Sequence, residues 1–322
     1  MKYILLTIIA LAAAAACLFS GSVDIPASQV FAILRGEDVA NAGWSYIVWQ
    51  MRLPAMLTAA LTGAALGVCG LLLQTFFRNP LAGPSILGIT NGANLAVAVV
   101  IVVTGSHSGA DVIVAAMIGS LAVLLLLLGI GRVVKHPVTL LIVGILLSYL
   151  ASAVLTLIHY EATTDGVQAL LIWGMGSFQQ VCMLQMPLYA SLILVGMSGS
   201  LALIRPMNGW MLGELYARNL GISTGRVRWG ILIVTGLLCA ATTAWCGPIA
   251  FIGLSIPHVA RMMFSTDDHR TLLPATMLLG AICTMLCLWL STLPADGKTL
   301  PINALTPLFG IPVILWVLLR RN

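Results

Sequence analysis

Few side chains in this sequence could bind a metal ion or transfer a proton, and they are scattered along it. The five histidines and seven cysteines form no His-Glu-x-x-His zinc motif and no Cys-x-x-Cys pair. Cys283 and Cys287 would share one helix face, as soft-metal ligands or, as we expect, as small packing residues. His258 follows Pro257 in an apolar run, where we expect a packed or capping histidine. The sequence thus predicts no metal site and no cofactor.

The segment Gly297-Lys298-Thr299 ends like a phosphate-binding loop. Position 292 is threonine where that motif has its first glycine, and no strand precedes it. Such a loop needs a strand and a helix to present its backbone amides to phosphate. We therefore predict no ATPase site in the chain and no enzymatic activity of its own.

The long apolar runs lack the charges that ion-driven carriers use. Nine runs after residue 50 contain no acidic residue or lysine, and their one arginine, Arg261, lies in the last turn of its run. Ionisable groups at bilayer depth are costly, so gradient-driven transporters keep only a few as relays. Uphill transport by this chain would then need energy from outside it, such as from an ATPase partner.

The composition is that of an integral membrane protein, with 60% hydrophobic and 8% charged residues. A helix needs about 20 apolar residues to cross the hydrocarbon core. Continuous runs of this length predict an all-α polytopic domain over residues 1–322. The predicted spans are 3–20, 54–76, 86–104, 112–131, 138–158, 186–204, 229–246, 248–264, 272–293 and 303–319. The run at 248–264 is short and contains Pro257, so it could also be re-entrant.

Basic residues predict the orientation, because Lys and Arg concentrate in cytoplasmic loops. With ten spans and the N-terminus inside, only Arg35, Arg52 and Lys298 of the fifteen basic residues fall outside. Both termini are then cytoplasmic. The first run also resembles a secretory signal peptide, whose cleavage would leave nine spans.

Two predicted outer segments are long enough to form short helices of their own. The segment 21–52 is expected to hold a short interfacial helix around Val30 to Leu34, with Trp44 and Trp49 as anchors. The segment 159–181 starts polar and continues apolar, which favours a short helix across the outer mouth. It could be a lid or a surface helix that covers its neighbours.

The inner segment 205–228 predicts an amphipathic helix at the cytoplasmic surface. Pro206 can open the helix and Gly221 can end it. Glu214 and Arg218 are spaced to pair along it. Its apolar face would consist of Leu212, Leu215, Tyr216 and Leu220. Such a helix is a natural docking element for a soluble partner, although a plain solvated loop is the alternative.

The two halves of the chain share a short, weakly similar sequence pattern, which we call the Gly-Pro echo. A Gly-Pro step with isoleucine and glycine after it occurs at residues 83–88 and again at residues 247–253. Transporters are often built from repeats with broken helices at the pathway. The echo therefore points to two helix breaks near a transport pathway.

Blocks of residues along nearly the whole chain resemble the signature of bacterial iron-siderophore, haem and cobalamin importer permeases, the FecCD type. The first-half block includes Arg52, Leu53, Pro54, Arg78, Asn79, Pro80, Gly88 and Gly92. The second-half block includes Gly247, Pro248, Gly253, Pro257, His258 and Arg261. Further matches are Trp173, Gly174, Gly176, Ser177, Leu212, Gly213, Glu214, Ala217, Arg218, Gly221, Leu300, Pro301, Thr306, Gly310 and Pro312.

The resemblance implies a ten-helix permease subunit of a type II ATP-binding cassette importer in the bacterial inner membrane. Its implied partners are a second copy of itself, two cytoplasmic ATP-binding subunits, an extracytoplasmic substrate-binding protein and the lipid bilayer, with no nucleic acid. The implied substrate is an iron(III)-siderophore, with haem or cobalamin as alternatives. A gradient-driven secondary transporter and a membrane scaffold are the alternatives from other classes.

The resemblance also assigns roles to residues. Leu212, Gly213, Glu214, Ala217, Arg218 and Gly221 would belong to the ATPase-coupling loop. Arg52 and Lys298 would be cations that dock the binding protein, although Ala55 stands where the family often has a second arginine. Spans 138–158, 248–264 and 303–319 would form the pathway, with 159–181 near the outer gate.

Overall fold

The computed structural model describes residues 1–37, 39, 41–106, 108–134, 136–293 and 299–320, and the regular structure among them is helical. The helices are α1 (Lys2–Phe19), α2 (Ala27–Leu34), α3 (Ala42–Tyr46), α4 (Leu53–Phe77), α5 (Ile89–Val99), α6 (Gly109–Val133), α7 (Pro137–Glu161), α8 (Thr164–Gly174), α9 (Met186–Ala202), α10 (Ile204–Met211), α11 (Glu214–Asn219), α12 (Thr224–Cys246), α13 (Ile252–Phe264), α14 (His269–Ser291) and α15 (Ile302–Arg320). Two π-helical segments, Ile47–Arg52 and Val100–Thr104, and a 3₁₀ turn, Pro84–Leu87, complete them.

Helices stand at all ten positions where the sequence predicts membrane spans. In the described part of the chain, six helices are long and apolar enough to cross a bilayer by themselves. α9 and α10 meet at a bend of 50° and add a seventh crossing if they form one span. The segments Ile89–Thr104 and Ile302–Trp316 are shorter, and α13 has 13 residues. The chain is an all-α multi-pass membrane protein, and its ten crossings stay a prediction.

α4 forms the centre of the fold, and nearly all of its residues are buried. α14, α13, α12 and α9 pack around it, while α6 and α7 lie further out and bury only a minority of their residues. Gly63 of α4 lies against Gly280 of α14 so closely that a built Cβ at Gly63 would meet the Gly280 carbonyl oxygen at 2.2 Å. Without a hydrophobic effect between helices in lipid, small residues of this kind let helices approach and gain van der Waals contact.

The outer segments contain the predicted helices. α2 covers the apolar stretch from Val30 to Leu34, and its buried residues pack with Ile25 and Val48. A second short helix, α3, which the sequence analysis did not predict, continues through the π-helical segment into α4. α8 is the helix predicted within segment 159–181.

The inner segment differs from the single helix predicted between Pro206 and Gly221. It folds as two helices, α10 and α11, which are separated at Leu212 and Gly213. Gly213 has φ +120°, a conformation that disfavours residues with a side chain and ends the first helix. Apolar spacing alone did not reveal this break, because the periodicity continues across it.

Both halves of the Gly-Pro echo break a helix, and the two breaks face each other. The first is the 3₁₀ turn Pro84–Leu87 before α5, and the second is residues 247–251 between α12 and α13. The two segments line one cavity of about 220 Å³ together with Leu81 and Leu254. The carbonyl oxygen of Gly253 would lie 1.6 Å from a Cβ built on Gly70 of α4, so the start of α13, just after the second break, packs directly on the central helix.

Candidate coupling and gate sites

α11 presents apolar side chains to its surroundings. The exposed apolar residues in and beside this helix are Leu212, Leu215, Tyr216 and Leu220, each at least 64% exposed. Ala217 on the opposite side is fully buried and seats the helix. A contiguous apolar patch of this kind on a polar loop is typical of an interaction surface.

The polar residues of α11 have the predicted arrangement. Arg218 donates from Nη2 to Oε1 of Glu214 at 2.7 Å, which confirms the pairing predicted from their spacing. Gly221 has φ +78° just after the helix, in the left-handed conformation expected of a terminating glycine. The pair is solvent-exposed, so it contributes only about 0.5 kcal/mol to stability.

α10 is the fixed base of α11. Arg78, the residue after α4, donates from Nη2 to the carbonyl oxygen of Trp210 at 2.9 Å. The Trp210 indole donates from Nε1 to the carbonyl oxygen of Phe76 at 3.2 Å. On the other side, Asn208 donates from Nδ2 to Oδ1 of Asp268 at 2.5 Å. α10 is thereby tied to the end of α4 and the start of α14.

A pocket of about 460 Å³, with polar and charged side chains in its lining, lies beside this base. Arg261 donates from Nη1 to Oε1 of Gln74 at 2.7 Å, and its Nε lies 3.4 Å from Oδ1 of Asp267. Nε2 of His258 lies 2.8 Å from the carbonyl oxygen of Pro80. Since a carbonyl only accepts, Nε2 carries the proton, and His258 ties α13 to the loop after α4. His258 is 6% exposed, in agreement with the packed histidine expected from the sequence.

The other residues of the resemblance shape the backbone. Arg78 is left-handed with φ 51°, and Oδ1 of Asn79 accepts from the backbone N–H of Leu81, so the chain turns sharply after α4. Gly92 of α5 packs on Gly119 of α6, whose carbonyl oxygen would lie 2.6 Å from a built Cβ.

Two more glycines of the resemblance stand at helix breaks. Gly88 has φ +76° between the 3₁₀ turn and α5, and a Cβ there would lie 3.0 Å from Oγ of Ser148 on α7. Gly253 opens α13 against Pro84, whose Cδ would lie 2.6 Å from a built Cβ. Both positions therefore require the smallest residue for close approach.

Arg52 is buried instead of forming the exposed cation expected of a docking residue. It is 8% exposed and donates from Nη1 to the carbonyl oxygen of Leu18 and from Nη2 to that of Val23. It therefore binds carbonyls at and beyond the C-terminal end of α1, where backbone acceptors lack helical partners. Lys298, the other predicted docking cation, lies outside the described residues.

The predicted gate helix α8 is joined to two predicted pathway helices by a residue that the sequence analysis missed. Asn303, in the first turn of α15, donates from Nδ2 to the carbonyl oxygens of Gly174 and Pro248 at 3.0 and 2.6 Å. Its Oδ1 accepts from the backbone N–H of Ala250 at 3.1 Å. An asparagine in the first turn of an apolar run was the available signal.

No group of three or more His, Cys, Asp or Glu among the residues that the structure describes could hold a metal ion. All seven cysteines are free thiols. Two of them, Cys69 of α4 and Cys239 of α12, lie with their sulfur atoms 3.8 Å apart in the buried core. Most of the phosphate-loop-like segment lies outside the described residues.

Comparison with known proteins shows which proteins this chain is similar to. The model of the FecCD transport family matches residues 6–320. The vitamin B12 import system permease protein BtuC of Salmonella typhi is 36% identical over 310 residues, which is 94% of each chain. BtuC of Citrobacter koseri is 35% identical over 312 residues, covering 95% of this chain and 94% of its own.

A solved structure described as an inward-facing conformation of an ABC transporter assigned to the metal-chelate type has the same fold. It superimposes with a TM-score of 0.86 at 29% identity and covers 98% of both chains. The predicted family and fold class are thus confirmed. The chain belongs to the FecCD transport family and is a permease of an ATP-binding cassette importer.

Proposed function

We propose that this permease moves a metal chelate into the cytoplasm, driven by ATP hydrolysis in two partner subunits. The observation that carries the proposal is α11, an exposed apolar helix on a base that hydrogen bonds fix to α4 and α14. Because this base is rigid, a displacement of α11 is transmitted to α4 and α14. The ATPase-coupling residues remain those of the resemblance, Leu212, Gly213, Glu214, Ala217, Arg218 and Gly221.

The assembly that fits this role contains two copies of the chain, two cytoplasmic ATP-binding subunits and an extracytoplasmic substrate-binding protein. α7 supports the second copy, because it exposes large apolar residues along its length and buries only three of 25 residues. We place the chain in the bacterial inner membrane with ten crossings and both termini cytoplasmic. On this orientation α11 faces the ATP-binding subunits.

The docking of the binding protein would then involve Lys298 at the outer surface. Arg52 stabilises the backbone of this surface, because its hydrogen bonds to the carbonyl oxygens of Leu18 and Val23 fix the turn after α1. Gly21 permits this arrangement, since a Cβ there would lie 3.0 Å from Nη2 of Arg52. Arg52 would thus shape the docking surface rather than meet the partner's charge.

The pathway proposed for the chelate is formed by α7, α13 and α15, with α8 as the outer gate. The charged residues of these three helices stand only in end turns, such as Glu161 and Arg261. A surface without charges inside the membrane suits a bulky chelate that must pass without tight binding.

An iron(III)-siderophore is the first candidate substrate, as the resemblance implies. Cobalamin is the second, and the specific observation in its favour is that BtuC proteins, named for vitamin B12 import, are 35–36% identical over nearly the whole chain. Haem remains a third chelate of the same family. The proposed mechanism is common to the three, since the solute passes between two permease copies in each case.

Uptake into proteoliposomes tests the proposal. The vesicles would contain this chain with its co-purified ATP-binding subunits and the binding protein, and the solutes would be cyanocobalamin, an iron(III)-hydroxamate and haem. We expect uptake that requires ATP and is unaffected by a protonophore. Uptake without ATP that collapses with the proton gradient would instead identify a secondary transporter.

A further inference from the structure

The side chain of Asn303 meets three backbone groups from two other segments. Its Nδ2 donates to the carbonyl oxygens of Gly174 and Pro248, and its Oδ1 accepts from the N–H of Ala250. Its own backbone N–H donates to the carbonyl oxygen of Met175 at 3.1 Å. One residue of α15 therefore holds the end of α8 and the break between α12 and α13.

These backbone groups are the ones that helix geometry leaves unpaired. Gly174 is the last residue of α8, and Pro248 and Ala250 lie in the break before α13. Helix termini leave carbonyls and N–H groups without partners, and such groups are costly to leave unsatisfied in a membrane protein. Asparagine suits this site because its NH₂ group has two donors and its oxygen accepts. The reversed amide would set its oxygen against two carbonyls, so the neighbours fix its orientation.

We call the contact among the end of α8, the break before α13 and the start of α15 the joint. In it, the segment after α8 also contacts the break directly through backbone atoms. Gly176 and Gly247 are left-handed, with φ +72° and +71°. A Cβ on Gly247 would lie 2.5 Å from the carbonyl oxygen of Trp173, and one on Gly176 would lie 3.1 Å from that of Pro248. The segment after α8 thus lies flush on the break, and the N–H of Ser177 donates to the carbonyl oxygen of Cys246 at 2.9 Å.

α13 connects this joint to the pocket beside α10, the helix that precedes α11. Its 13 residues span about 20 Å at 1.5 Å per residue. Near its start, the carbonyl oxygen of Leu254 accepts from Nε2 of Gln74 at 3.0 Å. In its last turn, Arg261 bonds to Oε1 of the same Gln74 and lines the pocket that Met211 of α10 also lines. A displacement at the base of α11 can therefore reach the joint through one short helix.

We propose that Asn303 is a positioning residue for transport, which makes α8, the break before α13 and the start of α15 move as one body. This inference rests on the proposed function, in which α8 is the outer gate and α13 and α15 line the pathway. When ATP binding moves α13, the Asn303 amide carries α8 with it. Without the amide, hydrolysis continues but the gate no longer follows the pathway helices.

The first test compares solute moved per ATP hydrolysed in proteoliposomes of the complete complex. The solute is whichever of cyanocobalamin, an iron(III)-hydroxamate or haem the unmodified complex takes up. For Asn303→Ala and for Asn303→Asp, which lacks both donors, we expect the ratio to fall about fivefold or more, while ATP hydrolysis persists.

Thr284→Val is the matched control, because it removes another buried bond between helices. Oγ1 of Thr284 on α14 donates to the carbonyl oxygen of Ala59 on α4 at 2.7 Å, and neither helix is part of the joint. We expect this variant to lose thermal stability while keeping its transport ratio. A ratio for Asn303→Ala equal to that of Thr284→Val would overturn the positioning role. Absence of ATP-dependent uptake by the unmodified complex would count against the proposed function itself.

The second test does not depend on how the Asn303 variants fold. Spin labels on cysteines placed at Leu171 of α8 and Ala304 in the first turn of α15, both exposed, report the distance between α8 and the start of α15. Cys182, the exposed cysteine among the seven, is first replaced by serine. We expect the distance within each copy to be the same in the nucleotide-free and the ATP-bound complex. A distance that changes between these two states would show that the segments move separately and would refute the proposal.

Discussion

Arg78 and Trp210 hold two helix ends together, since Nη2 of Arg78 donates to the carbonyl oxygen of Trp210 at 2.9 Å. The Trp210 indole donates in return to the carbonyl oxygen of Phe76, within the last turn of α4. The two bonds run in opposite directions across one contact, so neither helix end can move without breaking one of them. The proposed coupling helix α11 begins four residues after Trp210, directly after this clamp.

Replacing Arg78 with alanine should loosen the base of α11. A hydrogen bond to a charged group contributes about 1.5–3 kcal/mol, so we expect local opening of residues 204–219 to become easier by about that amount. Hydrogen exchange of these amides measures it. Arg132→Ala removes another predicted inner-side cation, one that lies over the Trp229 ring, and should leave exchange in 204–219 unchanged. Equal protection in the Arg78 variant and the unmodified chain would refute the clamp.

Glu214→Gln tests whether α11 binds the ATP-binding subunits. The pair with Arg218 is exposed, so stability should change by only about 0.5 kcal/mol. A docking role predicts instead that less ATP-binding subunit co-purifies, or that hydrolysis continues without uptake.

The control for Glu214 comes from the predicted outer side. Glu37 lies 4.0 Å from Arg35 in another exposed pair, so Glu37→Gln removes the same charge elsewhere. It should leave co-purification unchanged. If both variants retain the subunits and full uptake, Glu214 has no part in coupling.

Asp268 makes the start of α14 sensitive to acid. The backbone N–H of Arg270 and the side-chain amide of Asn208 hold the pKa of Asp268 below its ordinary value. Because the folded pKa is depressed, this stabilisation is complete above the ordinary value of about 4 and is lost as the pH falls through the folded value. Asp268→Asn should therefore flatten the thermal stability profile below about pH 4 relative to the unmodified chain. Identical profiles would show that the carboxylate does not contribute.

The positions of the helices could be predicted from the sequence because apolar runs must cross or line the bilayer as helices. The break at Gly213 could not, since Leu212, Leu215 and Tyr216 keep a helical spacing across it. Arg52 shows the second limit. Its charge predicts an exposed outer cation, but its guanidinium is buried and binds the carbonyl oxygens of Leu18 in the last turn of α1 and Val23 after it.

Asn303 shows a third limit of the sequence. Its type indicates a polar role at a helix start, but its partners are 53 to 129 positions away along the chain. Only the fold brings these helix ends together. Gly63 and Gly280 are similar, because a small residue permits close contact without naming its partner.

Gly70→Ala should prevent the start of α13 from packing on α4. A Cβ at Gly70 would lie 1.6 Å from the carbonyl oxygen of Gly253, and backbone on both sides cannot move as a side chain can. Overpacking in a filled core costs about 1–3 kcal/mol or more, so we expect low membrane levels or a clearly lowered unfolding temperature.

Gly129→Ala is the matched control for Gly70, since it makes the same change in α6, where a built Cβ meets nothing within 4 Å. Alanine favours a helix over glycine by about 1 kcal/mol, so this variant should be as stable as the unmodified chain or slightly more stable. Fluorescence-detected size exclusion with a heating step compares the two. If Gly70→Ala unfolds at the same temperature as Gly129→Ala, α4 and the start of α13 do not meet at this contact. The proposed path, which runs through α13 from the pocket beside α10 to the joint at Asn303, would then lack this contact with the central helix.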